Sequence, residues 1–472
     1  MREQTDVGVV GMAVMGQNLV LNIERNGYSV AAYNRTAERT REFVEGRGRG
    51  KRIVPTYDVE GFVEALSRPR RILLMVKASG PTDAVLEAIF PLLEPGDVVM
   101  DGGNAHYLDT ERRFEAANER NLFYLGVGIS GGESGALHGP AIMAGGSQEA
   151  YAAVASILES IAAQGRKGAC CAYFGPASAG HYVKMVHNGI EYAIMESLAE
   201  AYDLMQRGLG LRAREIADVV GGWNEGELKG YLVEITEKVL RREDPETGKA
   251  LVDVILDTAA QKGTGKWSTQ SALDIGAPSP TIAAAVFARV LSSLKGERTA
   301  AHAVLSGPPT SLAGERTAAV DDVKSAVLVA VLAAYAQGFR QLRDASAERG
   351  YGLNLAEVAR VWTAGCIVRA DLLHPISEAF LAQPDLPLLF LIEPFRSLWE
   401  EHQARLRRTV VRAREGGIPV PAMSSTLDFV DAYRTDRLPA NLLQAQRDFF
   451  GAHTYRRVDR EGTFHTEWEA PE

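Results

Sequence analysis

Apolar residues come in short runs along the first 175 or so positions. Residues 7–10, 29–33, 71–76, 97–101 and 121–127 are β-branched or apolar and bounded by Gly, Pro, Asn or Asp, which predicts buried parallel strands. Between them, residues 13–26 and 110–120 carry the spacing of amphipathic helices. Repeated strand–helix units of this kind predict a doubly wound, Rossmann-like α/β sheet with right-handed crossovers. The pattern changes after Pro176. From His181 to about Arg434 the chain is rich in Ala, Leu, Glu and Arg with long 3.6-residue periods, which predicts one large all-α domain. The charged run 241–249 reads as a solvated loop inside it. From Phe449 the period is lost while Phe449, Phe450, Tyr455, Phe464 and Trp468 accumulate, too many aromatics for a solvated tail. Such a tail either folds back on its own domain or docks on a partner subunit. The expected organisation is 1–177, 178–434 and an extended C-terminal tail over 435–472.

Composition narrows the function classes. A chain of 472 residues suits two or three domains, and 46% hydrophobic with 24% charged residues suits a soluble globular protein. A net charge of −9 argues against nucleic acid or an anionic membrane as partner, while a few converging cations can still hold a small anion. Cys170, Cys171 and Cys366 make no disulfide framework and fit a reducing, cytoplasmic setting. The N-terminus lacks the regions of a signal peptide, and no stretch is long and apolar enough to span a bilayer. The nine histidines show no metal-ligand spacing, so no metal is expected.

Gly11-Met12-Ala13-Val14-Met15-Gly16 follows the first strand and opens the first helix. Gly11 suits a tight turn and Gly16 a helix packed closely on the sheet. The helix N-terminus offers free N–H groups and a positive dipole end to a pyrophosphate. Ala13 stands where a strict fingerprint has its second glycine, but a strand before and a helix after supply the context that the motif needs. At the end of the second strand, where an NAD enzyme usually carries an acid, the chain has Asn34-Arg35-Thr36. A guanidinium and a hydroxyl there suit a 2′-phosphate, which predicts NADP. Lys77, at the end of the next strand, either approaches the same cofactor or is solvated.

Three further clusters point to a substrate. Gly128-Ile129-Ser130-Gly131-Gly132-Glu133-Ser134-Gly135 lies at a strand's C-terminal end, where open α/β sheets bind ligands; it offers donors to a carboxylate, or is a flexible loop. Asn104 sits at an equivalent end. Lys184, His187, Asn188 and Glu191 fall at i, i+3, i+4 and i+7 of a helix whose other positions are mainly apolar. A helix apolar nearly all round is buried, and a buried polar stripe is expensive unless it lines a cavity. Lysine and glutamate together supply a base and an acid. The third cluster is basic: Gln261-Lys262-Gly263-Thr264-Gly265-Lys266-Trp267, Arg289 in an apolar helical run, and Arg447 and His453 flanking the start of the tail. A sugar phosphate suits several convergent cations.

These motifs, together with Asp101-Gly102-Gly103-Asn104, residues 285–295 and residues 442–455, resemble the 6-phosphogluconate dehydrogenase family, in order and over nearly the whole chain. The length resembles its longer, dimeric branch. The resemblance implies an NADP site from Gly11, Met12, Ala13, Val14, Met15 and Gly16, with Asn34, Val76, Lys77, Ala78 and Asn104, and with Arg35 and Thr36 on the 2′-phosphate. It implies Asn104, Ser130, Gly131, Gly132, His187 and Asn188 on the sugar-acid hydroxyls and carboxylate. Tyr192, Lys262 and Arg289 would bind the phosphate, joined by Arg447 and His453 from the other subunit of a homodimer. Lys184 and Glu191 would be catalytic, the first as base and then acid, the second as acid, in a metal-independent step of the pentose phosphate pathway. Ala105 departs from the family's usual serine, and residues 78–82 are slightly atypical. Two other outcomes fit parts of the pattern: a non-decarboxylating β-hydroxyacid dehydrogenase, and an NADP-binding protein without catalysis.

Overall fold

The structure, a computed structural model, describes residues 4–469; the first three residues read as part of the N-terminus and the last three of the expected tail lie outside them. Eight strands form one sheet: β1 (Val7–Val10), β2 (Val30–Tyr33), β3 (Ile53–Thr56), β4 (Arg71–Leu74), β5 (Val98–Asp101), β6 (Phe123–Ser130), β7 (Ala141–Gly146) and β8 (Cys171–Tyr173). They lie in the order β8-β7-β6-β5-β4-β1-β2-β3. All neighbours are parallel except β6 and β7, which run antiparallel. One apolar layer covers each face, with Val7, Val9, Met100 and Val127 on one side and Val10, Ile72, Leu74 and Val99 on the other.

Three of these strands are not apparent in the periodicity, and β6 outruns its expected end by three residues. β3 contains Pro55, tolerated because β3 is the sheet's edge. β7 ends in two glycines, and β6 continues through Gly126 and Gly128, residues that depress strand propensity. The five strands expected from the pattern are parallel to one another, and the antiparallel β7 is an addition to them. The glycines have a packing reason. A Cβ on Gly180 would stand 2.4 Å from the Gly126 carbonyl oxygen and 2.5 Å from the Gly145 nitrogen. A Cβ on Gly128 would meet Cβ of Lys184 at 2.4 Å. Small residues on both sides let a helix lie directly on the sheet backbone.

The helices that matter below are α1 (Val14–Arg25), α2 (Gly132–His138), α3 (Ala179–Asp203), α4 (Thr264–Asp274), α5 (Pro280–Ser293), α6 (Arg316–Arg349), α7 (Phe395–Glu415), α8 (Pro421–Tyr433) and α9 (Ala440–Gly451). α3 is buried at every position from Ala179 to Ile190, as its apolar circumference predicts. It is sandwiched between the sheet and the long α6, whose residues from Ser325 to Phe339 are all buried. α4 begins inside the segment read as a turn: Gly263, with φ of +98°, starts it and the helix runs on from Thr264. The run 241–249 is largely exposed, as expected.

The tail opens with α9 before it becomes irregular. Asp448 is the one buried residue of α9, while Leu442, Phe449 and Phe450 are exposed. Among the described residues, the side-chain hydrogen bonds of 444–468 stay within that segment. The segment is tied to itself rather than folded back on its own domain.

Candidate active site

The strand order changes direction between β1 and β4, and a groove of about 520 Å³ opens at that switch point. Gly11, Ala13, Asn34, Arg35, Thr36, Val76 and Lys77 line it. Gly11 has φ of +105°, and a Cβ there would stand 2.5 Å from the Met75 carbonyl oxygen. A Cβ on Gly16 would meet the Gly11 carbonyl oxygen at 1.8 Å, so both glycines are sterically required. The Met12 N–H donates to Asn34 Oδ1 at 3.0 Å, and the Asn34 amide donates to the Thr36 carbonyl at 3.0 Å. Asn34 thus ties the glycine turn to the end of β2. The first turn of α1 holds no acidic residue and Val14 is exposed there, leaving the helix N-terminus open to an anion. Arg39 lines the same groove. It was not among the residues expected, because it lies a helical turn beyond the strand end where specificity is read. A concave groove with a glycine cradle and three cations fits a phosphorylated dinucleotide.

The substrate-side loops are held at neighbouring strand ends. Buried Asp101 accepts hydrogen bonds from Gly103 N–H (3.0 Å), the Tyr124 hydroxyl (3.0 Å) and Arg113 (3.3 Å), which fixes the turn presenting exposed Asn104. Gly131 and Gly132 have φ of +117° and +61° and carry the chain from β6 into α2. A Cβ on Gly131 would strike the Gly365 carbonyl oxygen at 2.5 Å. The Asn18 amide of α1 donates to the Glu133 carbonyl at 2.8 Å, joining the dinucleotide helix to the substrate loop.

Lys184, His187, Asn188 and Glu191 form the polar stripe of α3. Lys184 Nζ lies 3.3 Å from His187 Nδ1, Asn188 Oδ1 lies 3.1 Å from the same nitrogen, and Ser130 Oγ lies 3.2 Å from Nε2. Asn188 Oδ1 can only accept, so the neutral ring that bonds to it carries its proton on Nδ1 and takes the Ser130 hydroxyl on Nε2. Glu191 Oε2 stands 3.9 Å from Nδ1, one turn further along. Lys184 is 6% exposed and His187 wholly buried, whereas the Glu191 side chain is 23% exposed. Burial pushes the Lys184 ammonium below its ordinary value, opposed by Glu191 and then by Cys366. Burial pushes the Glu191 carboxyl up, opposed by Lys184 and Arg289. Burial and then Lys184 hold His187 well below the usual imidazole range, so it stays neutral.

A wall that the sequence did not reveal closes this site. Trp362 meets the His187 ring edge-on at 5.4 Å between centroids, and Ile367 N–H donates to Ser130 Oγ at 3.4 Å. The Cys366 thiol, which Lys184 feels electrostatically, is buried, donates to the Trp362 carbonyl and is pushed up to about 12 by burial. The short Trp–Cys stretch between two helices carries no periodicity that could have flagged it.

Next to Glu191 on α3, the Arg289 guanidinium from α5 lies 3.8 Å from the centre of the Tyr192 ring. Gly265 also lies against that ring, where a Cβ would intrude to 2.7 Å; Gly265 follows exposed Lys262 by three residues. Tyr192, Arg289 and the Lys262 turn therefore converge. Arg447 and His453 do not join them within the chain. The Arg447 hydrogen bond goes to Gln444, and the His453 ring packs on Phe450.

Comparison with known proteins agrees with this geometry. Residues 6–175 match the model of the NAD binding domain of 6-phosphogluconate dehydrogenase, and residues 180–468 match that of the 6-phosphogluconate dehydrogenase C-terminal domain. The decarboxylating 6-phosphogluconate dehydrogenase of Synechococcus elongatus is 54% identical over 98% of both chains. The NADP(+)-dependent, decarboxylating enzyme of Bacillus subtilis is 50% identical over 98% of both. The solved 6-phosphogluconate dehydrogenase of Plasmodium falciparum, studied with NADP+ and with 6-phosphogluconate, superposes with a TM-score of 0.93 at 41% identity, over 98% of this chain and all of that one. The likeness spans both the dinucleotide groove and the polar stripe of α3, and the chain belongs to the 6-phosphogluconate dehydrogenase family.

Proposed function

We propose that this chain converts 6-phosphogluconate to ribulose 5-phosphate and carbon dioxide by NADP-dependent oxidative decarboxylation. The observation that carries it is the pairing on α3 of buried Lys184 with largely buried Glu191, one turn either side of a neutral histidine, with burial driving both groups toward their uncharged forms. An uncharged amine is a base and an uncharged carboxyl is an acid, the two proton-transfer groups that the reaction needs.

NADP, when bound in the groove, supplies the hydride acceptor. Arg35, Thr36 and Arg39 would hold its 2′-phosphate, the α1 N-terminus its pyrophosphate, and Val76, Lys77 and Ala78 the β4 side. Asn104, Ser130, Gly131, Gly132, His187 and Asn188 orient the sugar acid. Neutral Lys184 accepts the proton of the 3-hydroxyl as that carbon is oxidised. The resulting ammonium stabilises negative charge developing on the same oxygen while carbon dioxide leaves, and low local dielectric strengthens that contact. Protonated Glu191 then delivers its proton to the former carbon 2, which becomes carbon 1 of ribulose 5-phosphate. No step draws on a metal.

Tyr192, Lys262 and Arg289 bind the phosphate beside the Glu191 end of the polar stripe. Residues 1–177 act as the NADP-binding domain, residues 178–434 carry the substrate and dimer surfaces, and the tail crosses to the other subunit of a homodimer. Arg447 and His453 of the partner subunit complete the phosphate site. The exposed apolar face of Leu442, Phe449 and Phe450 supports that docking. Three free, buried cysteines suit a cytoplasmic enzyme. The test is a joint record of nicotinamide absorbance and carbon dioxide release with NADP and 6-phosphogluconate. Equal yields support the assignment, whereas absorbance without carbon dioxide identifies a plain β-hydroxyacid dehydrogenase.

A further inference from the structure

Asp448 is wholly buried in a segment otherwise almost entirely exposed. Its carboxylate has no basic partner on α9, yet it accepts four hydrogen bonds. Oδ1 receives Thr454 N–H at 2.9 Å and His465 Nδ1 at 2.9 Å; Oδ2 receives Thr466 N–H at 3.0 Å and Trp468 Nε1 at 2.9 Å. Burial raises the carboxyl, but these donors outweigh it and hold it at about 2.

The backbone that these bonds restrain is strained. Ala452 and Thr454 have φ of +48° and +60°, in the left-handed region that non-glycine residues rarely adopt. They flank His453. The Asp448 carbonyl accepts from Ala452 N–H at 2.9 Å and its carboxylate takes Thr454 N–H, while the Gln444 amide donates to the Thr454 carbonyl at 2.6 Å. A turn that would relax if left alone is thus fixed from both sides by α9. Its other anchor is the strand-like pairing of Tyr455 with Phe464, which brings His465, Thr466 and Trp468 back to the carboxylate.

We propose that Asp448 is a positioning residue: its carboxylate locks the left-handed turn that aims His453 and the end of α9 that carries Arg447, and so sets affinity for the substrate phosphate in the other subunit. This role rests on the tail's completing the partner's site. Asn in place of Asp keeps the shape but replaces one acceptor with a donor, so it cannot take all four hydrogen bonds.

The experiment compares Asp448→Asn, Trp468→Phe and Arg447→Ala dimers with the native enzyme, recording kcat and KM for 6-phosphogluconate and NADP, with the dimer confirmed by sedimentation. Asp448→Asn is expected to raise KM for 6-phosphogluconate about tenfold or more with kcat changed less than about threefold, since the phosphate is bound alike in ground and transition states. KM for NADP stays unchanged, and Trp468→Phe gives a smaller rise of the same kind. If Arg447→Ala leaves KM for 6-phosphogluconate unchanged, the tail's part in the site fails. If Arg447→Ala raises it but Asp448→Asn does not, the positioning role is overturned. Should Asp448→Asn fail to dimerise, Trp468→Phe decides, and an unchanged KM there overturns the role.

Discussion

At the residue scale the proposed chemistry depends on burial acting in opposite senses on two groups. Lys184 must be unprotonated to accept a proton, and its ammonium form is disfavoured, so the base is available at a pH below that of an exposed lysine. Glu191 must be protonated to donate, and its carboxyl is pushed up, so the acid persists above the usual carboxylate range. The rate should therefore fall toward acid as Lys184 gains a proton and toward alkali as Glu191 loses one. Glu191→Gln should lower kcat by about 10²–10⁴ and abolish the alkaline limb while the acid limb remains, read from pH–rate profiles. Lys184→Met should be inactive yet melt at a higher temperature than the native chain, because it removes a buried amine whose charged form folding must suppress. In the groove, Arg35→Ala should raise KM for NADP about tenfold or more and leave that for NAD little changed, a charge-assisted hydrogen bond being worth about 1.5–3 kcal/mol. The stripe Lys184-His187-Asn188-Glu191 was legible in the sequence because helical spacing converts directly into a shared face. Arg39, Trp362 and Cys366 were not, because they reach the site through tertiary packing.

At the element scale the site exists because α3 lies against the sheet with almost nothing between. Gly126, Gly128 and Gly145 on the strands and Gly180 on the helix make the approach possible. Around the Gly180 Cβ position the nearest atoms are all backbone and cannot step aside. Gly180→Ala should therefore destabilise the fold by about 1–3 kcal/mol and lower kcat by shifting Lys184 and His187 relative to the sheet that carries Ser130, measured by thermal melting and kinetics. The same glycines explain where periodicity misled. β7 was missed and β6 was cut short because their glycines serve the helix above them rather than strand propensity. β3, by contrast, was hidden by Pro55 at an edge. The strands dominated by Val, Ile and Leu, β1, β4 and β5, were plain from pattern alone.

At the scale of the whole molecule, the proposed function makes the site of one chain incomplete. Arg447 and His453 stand in a segment bonded to itself, with an apolar face open. If that segment acts across the dimer, Lys184→Met and Arg447→Ala chains, each weak alone, should regain activity when mixed and reassembled. The hybrid then holds one site with an intact lysine and an intact tail, and a lack of recovery would place the tail in its own subunit. Sequence alone signalled an aromatic tail unsuited to solvent, but a destination on a partner, as proposed, would depend on a surface that no single-chain periodicity encodes. The central claim is the coupled reaction itself. Turnover of unlabelled 6-phosphogluconate in deuterium oxide tests it most directly, with NADPH, carbon dioxide and the deuterium content of the product recorded together. Oxidative decarboxylation with Glu191 as proton donor predicts one carbon dioxide per NADPH and one deuterium on carbon 1 of ribulose 5-phosphate, in a single configuration. NADPH formed without carbon dioxide, or a product without solvent deuterium at carbon 1, would contradict it.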